Sequence, residues 1–356
     1  MTNAVSVAQY GSSNPTMRNR IINGAMVIDQ RNSGAATANT ISGYTIDRWA
    51  IYQSTTGKLI AQQNQNSVTP PAGFTKYLGV TSQSAYSVAS SDAYQLYQFI
   101  EGYNIADLGW GTANAKTVTL SFQVYSSLTG NFGGSIYSSS ASTQRSYPFT
   151  YSVPVANTWT QISITVPGDT FTNTFNTTNG QGLNVNFGLG SGSTYTTSTT
   201  GWQTGVFIQP TGTISVVGTN GATFYITGVQ FEVGTTATPF EYRQYGTELA
   251  LCQRYFYLSN PTNVLKNGGA WGTMYTTTNA HITGPLPVPM RTAPTFTFVG
   301  TSNTFYISTI TSTSTGTPVN TSSSNLIIDF EITSLSSGGI GYPVQYNGQL
   351  YVNAEL

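Results

Sequence analysis

"KTVTLSFQVYSS", residues 116–127, sets Val118, Leu120, Phe122 and Val124 against Thr117, Thr119, Ser121 and Gln123. Successive side chains of a strand point to opposite faces, so this stretch reads as a strand with one apolar face and one face of hydroxyls and amides. The pattern recurs in "TWTQISITVPG" (158–168), "GLNVNFGLG" (182–190) and "ATFYITGVQFEVG" (222–234), with Gly and Asn turns between. From 117 to 231 only Arg145 and Asp169 carry charge. Short, evenly spaced strands with turn clusters between them predict an all-β fold, a sandwich or jelly roll.

Working outward, "RIINGAMVIDQRNSG" (20–34) reads as a strand with a turn or bulge at Asn23-Gly24. "GYTIDRWAIYQ" (43–53) reads as one further strand, with Ile46, Arg48, Ala50 and Tyr52 in one register. "DAYQLYQFIEGYNIADLGWG" (92–111) mixes helical and strand spacing, and is read as a strand through Phe99 followed by an irregular turn. Residues 1–19 are small and polar, broken by Gly11 and Pro15, as expected of an extended arm. Beyond 256 the β texture resumes, enough for five or six strands. The expected order is an N-terminal arm (1–19), a jelly-roll domain (20–240), a short helical connector (241–258) and a small C-terminal β domain (259–356).

Composition narrows the function. Charged residues are 7% of the 356, against about 25% in ordinary globular chains, while aromatics reach 13%. That mixture suits ordered, half-buried strands rather than disorder. The net charge of zero offers no electrostatic footprint for nucleic acid or an anionic membrane. A neutral surface fits neutral partners, such as glycans or further subunits. Exposed Tyr, Phe and Val beside Thr favour self-association. Cys252 is the single cysteine, so no intrachain disulfide forms, and no run has the length of a signal or membrane span.

"RNRIINGAMVIDQRNSG", "GYTIDRW", "YQFIEGYNIADLGWGTANAKTVTLSF", "GTNGATFYITGVQFEVGTTATPFEYRQYGTELALCQRYF" and the terminal "AEL" together resemble a group of bacteriophage tail-fibre and fibre-like virion proteins with a carbohydrate-binding-module-like jelly roll. The resemblance covers most of 18–256 and, beyond that, only the chain's ending. It implies a homotrimer fixed to a virion, made in the host cytoplasm and released by lysis. Residues 1–19 would attach it to other virion proteins of tail, baseplate or capsid, leaving the rest to bind host cell-surface polysaccharide. A capsid decoration or head fibre with a purely structural role is the alternative; a glycan-degrading, tailspike-like enzyme is another.

The catalytic inventory is thin. His281 is the single histidine, so no multi-histidine metal site is possible, and neither a metal nor a cofactor is expected. A Cys252–His281 dyad is disfavoured because Cys252 falls on the apolar stripe of its helix, where a free Cys is ordinarily buried. A glycosidase needs two carboxyl groups about 5–9.5 Å apart, and Glu101 with Asp107 is the best pair available. Backbone anchoring at loop ends is the more ordinary use of such residues. No catalytic residue is therefore assigned and no enzyme is expected.

Sugar recognition uses aromatic faces flanked by neutral hydrogen-bonding side chains on loops. Trp202, Trp271 and Tyr275, each among Gly, Thr and Ser, are the glycan-binding candidates, while Trp49, Trp110 and Trp159 are read as core. "TPFEYRQYGTELALCQRYF" (238–256) concentrates Glu241, Arg243, Glu248 and Arg254. It predicts a helix capped by Thr247 and starting at Glu248, with Leu249, Cys252, Tyr255 and Phe256 inward and Glu248 and Gln253 outward. These charges are expected at a domain or subunit junction, with Glu241, Arg243 and Arg254 in ion pairs.

Overall fold

The computed structural model describes residues 17–37, 42–138, 143–172, 175–259, 271–307, 313–315, 317–321, 324–335 and 343–356. All but the last three residues of the expected arm lie outside these. Strands dominate the regular structure of the described residues, and the chain divides into two compact units.

The first unit comprises the chain up to Val27, Gly34–Gly43 and Trp49–Tyr242. Its larger sheet has seven strands, in the order Ser42–Ile46, Trp49–Gln53, Ala93–Glu101, Gln181–Ser191, Gly130–Tyr137, Arg145–Val153 and the short Gln203–Thr204. Its smaller sheet runs Leu59–Gln63, Leu78–Ser82, Thr223–Val233, Val118–Ser126 and Thr160–Val166. The two sheets pack face to face as a jelly-roll sandwich. Phe122 and Phe224 from the smaller sheet meet Phe187 of the larger at 4.9 and 6.2 Å between ring centroids, and Phe122 meets Tyr151 at 5.1 Å. Val118, Leu120, Phe122 and Val124 are all fully buried, as the alternation in the opening stretch requires.

Residues 20–28 depart from expectation. They form turns, not a strand, although Ile21, Ile22, Met26 and Ile28 are buried. Asn23 and Met26 adopt left-handed backbone, φ 59° each, and a Cβ on Gly24 would stand 2.2 Å from the Val229 carbonyl oxygen. Side chains replace the ladder: Asn19 Nδ2 donates to Val229 O and Asn19 Oδ1 accepts from Phe231 N, while Gln98 brackets Ile22 through both its amide atoms. The single strand expected over 43–53 is likewise two, Ser42–Ile46 and Trp49–Gln53, broken where Arg48 takes φ 69°.

The second unit comprises Ile28–Ser33, Tyr44–Arg48 and Arg243–Leu356. The 20–240 stretch therefore does not stay together: two of its short segments belong with the C-terminal part. An eight-stranded sheet dominates this unit, more than the five or six strands expected. Its buried core includes Met274, Ile282, Met290, Ile328, Val344 and Val352.

The helix spans Tyr245–Gln253 and is followed by the strand Phe256–Ser259. It starts three residues before the expected position, so Thr247 lies inside it and no side chain caps its N-terminus. Cys252, Tyr255 and Phe256 are buried as expected and Leu249 is half-buried. Glu248 is buried rather than outward, because Arg243 Nη1 holds its carboxylate at 3.2 Å.

Candidate functional site

A run of glycines in the sandwich lets neighbouring segments pack directly on backbone. In "FGLGSG" (187–192) the glycines recur at every second position along and just past the strand Gln181–Ser191. A Cβ on Gly188 would lie 1.8 Å from Gln209 Oε1, one on Gly190 2.7 Å from Ser215 Oγ, and one on Gly192 2.0 Å from the Ala89 carbonyl oxygen. Two segments, one carrying Ala89 and one carrying Gln209 and Ser215, thus press against bare backbone, a close approach that only glycine allows. Beside Gly192 is a cavity of about 450 Å³, lined by Val88 and Ser90, by Ser191–Ser193 and Thr196, and by Gln209 and Thr211–Ser215 except Ile214. Its size falls within the roughly 300–1,000 Å³ usual for small-molecule sites. No charged and no aromatic side chain lines it.

Three buried polar atoms on these residues, Gln209 Oε1, Ser191 Oγ and Ser215 Oγ, have no hydrogen-bond partner among the described residues. Gln209 itself is only 3% exposed. A buried acceptor left incomplete costs about 1–3 kcal/mol, and these atoms are sealed from solvent by the packing around them. The polar strip continues along the same sheet face. Gly188 pairs with Gln95, Asn186 with Tyr97 and Asn184 with Phe99. Asn184 Nδ2 donates to Tyr137 Oη at 2.7 Å and Asn186 Nδ2 to Ser135 Oγ at 2.6 Å. The side-chain amide oxygens of Gln95, Asn184 and Asn186 are also without partners among the described residues. Burial pushes the Tyr137 hydroxyl well above its ordinary pKa, so it stays a neutral donor.

The residues proposed from sequence lie elsewhere. Trp202 is half-buried in an aromatic cluster, 5.2 Å from Trp110, 5.5 Å from Tyr147 and 5.9 Å from Phe175, and its Nε1 donates to Pro167 O at 2.7 Å. Both its ring and its donor are engaged within the sandwich. Trp202→Ala is expected to lower unfolding free energy by roughly 2 kcal/mol, less than the ~3–5 of a fully buried Trp, as read by chemical denaturation. Tyr275 is 44% exposed; its hydroxyl donates to Glu331, and its ring stands 6.3 Å from His281. Trp271 opens the strand Trp271–Met274, and its side chain lies outside the described residues. Trp49 and Trp110 are core, while Trp159 is half-buried and donates to Thr69 O.

The charged stretch divides between the units. Glu241, in the first, accepts from the backbone N–H groups of Arg18 and Asn19 at 3.1 and 2.8 Å. Arg243 and Glu248 pair with each other inside the second, where Arg254 O accepts from Arg291 N. Neither acid–base candidate assembles. Cys252 is fully buried, which raises its thiol pKa well above the ordinary value, while His281 is about half-exposed and faces Asp329 at 3.0 Å. Asp107 pairs with Arg20 at 2.6 Å, and Glu101 is buried. No group of three His, Cys, Asp or Glu able to hold a metal occurs among the described residues.

An ionic cluster that the sequence did not suggest occupies the second unit. Glu355 accepts from Arg31 at 2.8 Å and from Arg48, which is buried. Arg48 lies over the Tyr255 ring and Arg31 over the Phe256 ring, each at 3.6 Å. Gln30 donates to both oxygens of Asp47 at 2.6 Å. Four of the motifs quoted for the family resemblance, including the terminal "AEL", therefore converge on one buried cluster. Its role is to hold backbone segments together.

No protein-family model matches the chain, and no curated protein matches it in sequence. Among solved structures it is similar to the enzymatically active domain of bacteriophage CBA120 tailspike protein 4, at 12% identity and a TM-score of 0.35, over 61% of this chain and 22% of that one. This chain thus aligns with about a fifth of that tailspike domain's length. A CBM4 structure matches at 16% identity and a TM-score of 0.29, over 60% of this chain and 98% of that one. The family 11 carbohydrate-binding module of Clostridium thermocellum, in complex with a mixed-linked tetrasaccharide, matches at 12% identity and a TM-score of 0.29, over 57% and 99%. With TM-scores below 0.5, none of these establishes a shared fold or activity. The sandwich rests on its own strand order.

Proposed function

We propose that this chain is a bacteriophage virion appendage that binds a host-surface glycan without cleaving it. The observation that carries the binding reading is the neutral cavity of about 450 Å³ beside Gly192, walled by Ser90, Ser193, Thr196, Thr211 and Thr213 with no charged side chain among its lining residues. Hydroxyls and amides without charge are the chemistry that recognises sugars, and their place on loops above a rigid sheet is where binding sites gather. The virion role, the homotrimer and attachment through residues 1–19 rest on the motifs quoted above.

The test is a glycan array probed with the full-length protein, followed by mass analysis of any retained saccharide. Saturable retention with the saccharide returned intact is the expected outcome. Failure to retain any saccharide, or its return in shortened form, overturns the reading. A trimer in native mass spectrometry and labelling of intact particles in electron microscopy are expected alongside; a monomer, or unlabelled particles, contradicts the assembly.

A further inference from the structure

We infer that three copies of this chain meet through the surface of the sandwich at Met17, with Met17 and Tyr103 as its apolar centre. The inference rests on the homotrimer reading and deepens it by naming the face. Met17 and Tyr103, 46% and 61% exposed, line a cavity of about 240 Å³ together with Asn19, Arg20, Asn104 and Asp107. The backbone holds Tyr103 in place: Tyr103 N donates to Thr178 O at 2.8 Å and Gly102 N to Gly180 O at 2.9 Å. A Cβ on Gly102 would stand 2.5 Å from Asn176 O, so the turn that carries the ring is closely packed. A large ring presented to solvent on a fixed turn loses little entropy when a partner covers it.

The charges identify the partner as a further copy. Arg18, Arg20 and Lys116 gather here with Asp107, Glu232 and Glu241, whereas the whole of 117–231 holds only Arg145 and Asp169. Arg20 Nη2 meets Asp107 at 2.6 Å, Lys116 lies 3.9 Å from the same carboxylate, and Arg18 Nε meets Glu232 at 3.1 Å. Glu241 accepts from Arg18 N. Three cations thus offset three acids, and Arg18, Lys116 and Asp107 are each about half-exposed. A partner of strong net charge gains nothing from such a rim. A copy of the same face offers both signs to both signs, so the contact carries no like-charge cost. Tyr and Met inside a rim of charges is also the anatomy of a protein interface. The place of Met17 acts in the same direction. Residues 1–16 continue from it, so copies that meet here start these segments side by side. Segments that start together engage one partner at raised effective concentration.

The experiment follows dissociation of the full-length protein by native mass spectrometry and sedimentation over a dilution series. Tyr103→Lys and Met17→Lys place an ammonium at the centre of the face. Val155→Lys does so at a residue 56% exposed, near Asn157, whose N donates to Ser126 O at the far end of the strand Val118–Ser126 from Lys116. Dissociation at a concentration about tenfold higher in the first two variants, and unchanged in Val155→Lys, is the expected result. In case a lysine disturbs folding, Tyr103→Cys treated with a short bis-maleimide should give covalent dimers and Val155→Cys none; Cys252 is buried and does not compete. Trimers of unchanged stability in both folded lysine variants, or no covalent link through position 103, overturn the inference while the trimer stands. A wild type that is monomeric throughout the series removes the trimer reading and the inference with it.

Discussion

Glu355→Ala is expected to lower the stability of the C-terminal unit by about 3–5 kcal/mol, the usual cost of removing one partner from a buried ion pair. The Glu355 side chain is 5% exposed and joins Arg48, 1% exposed, with Arg31 on its second oxygen. Taking the carboxylate away leaves the Arg48 guanidinium buried over the Tyr255 ring, and cation–π attraction of about 1–2 kcal/mol does not offset that desolvation. Main-chain contacts sharpen the expectation. Ala354 N donates to Tyr255 O, and Arg291 reaches the carbonyl oxygens of Ala354 and Glu355. Deleting residues 355–356 should thus cost at least as much as Glu355→Ala. Denaturant titration followed by the fluorescence of the C-terminal aromatics reads the effect. A shift below about 1 kcal/mol for both variants would show that the cluster is weakly coupled to folding.

The second large effect concerns pH. Asp47 is fully buried, and burial pushes its carboxyl from the ordinary 3.8 up to about 6, against the pull of Arg31 and the Gln30 hydrogen bonds. The folded state therefore holds this proton more tightly than the unfolded chain does. Its contribution to stability is fully present below pH 3.8 and is lost as pH rises through about 6. Asp47→Asn cannot titrate. Relative to that variant, the wild type should gain about 2–3 kcal/mol on going from pH 7 to pH 4, whichever of the two is the more stable at neutrality. Unfolding free energies of both proteins across that range give the measurement. Parallel profiles would mean that Asp47 is not perturbed, and a relative loss on acidification would mean that its pKa is lowered.

These two residues mark where the sequence was hard to read. Asp47 and Arg48 sit inside "GYTIDRWAIYQ", whose alternation looks like one unbroken strand. The break comes from Arg48 entering left-handed backbone to reach Glu355, 307 positions away, and no local pattern records such a partner. Residues 20–28 mislead in a similar way. They are apolar because they are buried, yet side-chain amides of Asn19 and Gln98 replace the strand ladder. Glu248 was read as solvent-facing because a carboxylate on a helix ordinarily is; its neighbour Arg243 brings it inside. Glycine at 188, 190 and 192 marks the close approach of Gln209, Ser215 and Ala89 to backbone, and the hydropathy pattern records it only as turn signal.

By itself the sequence determined the sandwich strands, the burial of Phe122 and its neighbours, the strand through Phe99 and the inward positions of Cys252, Tyr255 and Phe256. Each follows from a period of two or of about 3.6 over adjacent residues, and adjacent residues are what a local pattern contains. Tertiary structure alone decided which loops meet over the glycine strip, which segments of 20–48 join the C-terminal unit, and which buried charges find partners. Those outcomes depend on tertiary contacts, up to 324 positions apart for Arg31 and Glu355, where the sign of a side chain's contribution is set by what it faces and not by what precedes it in the chain.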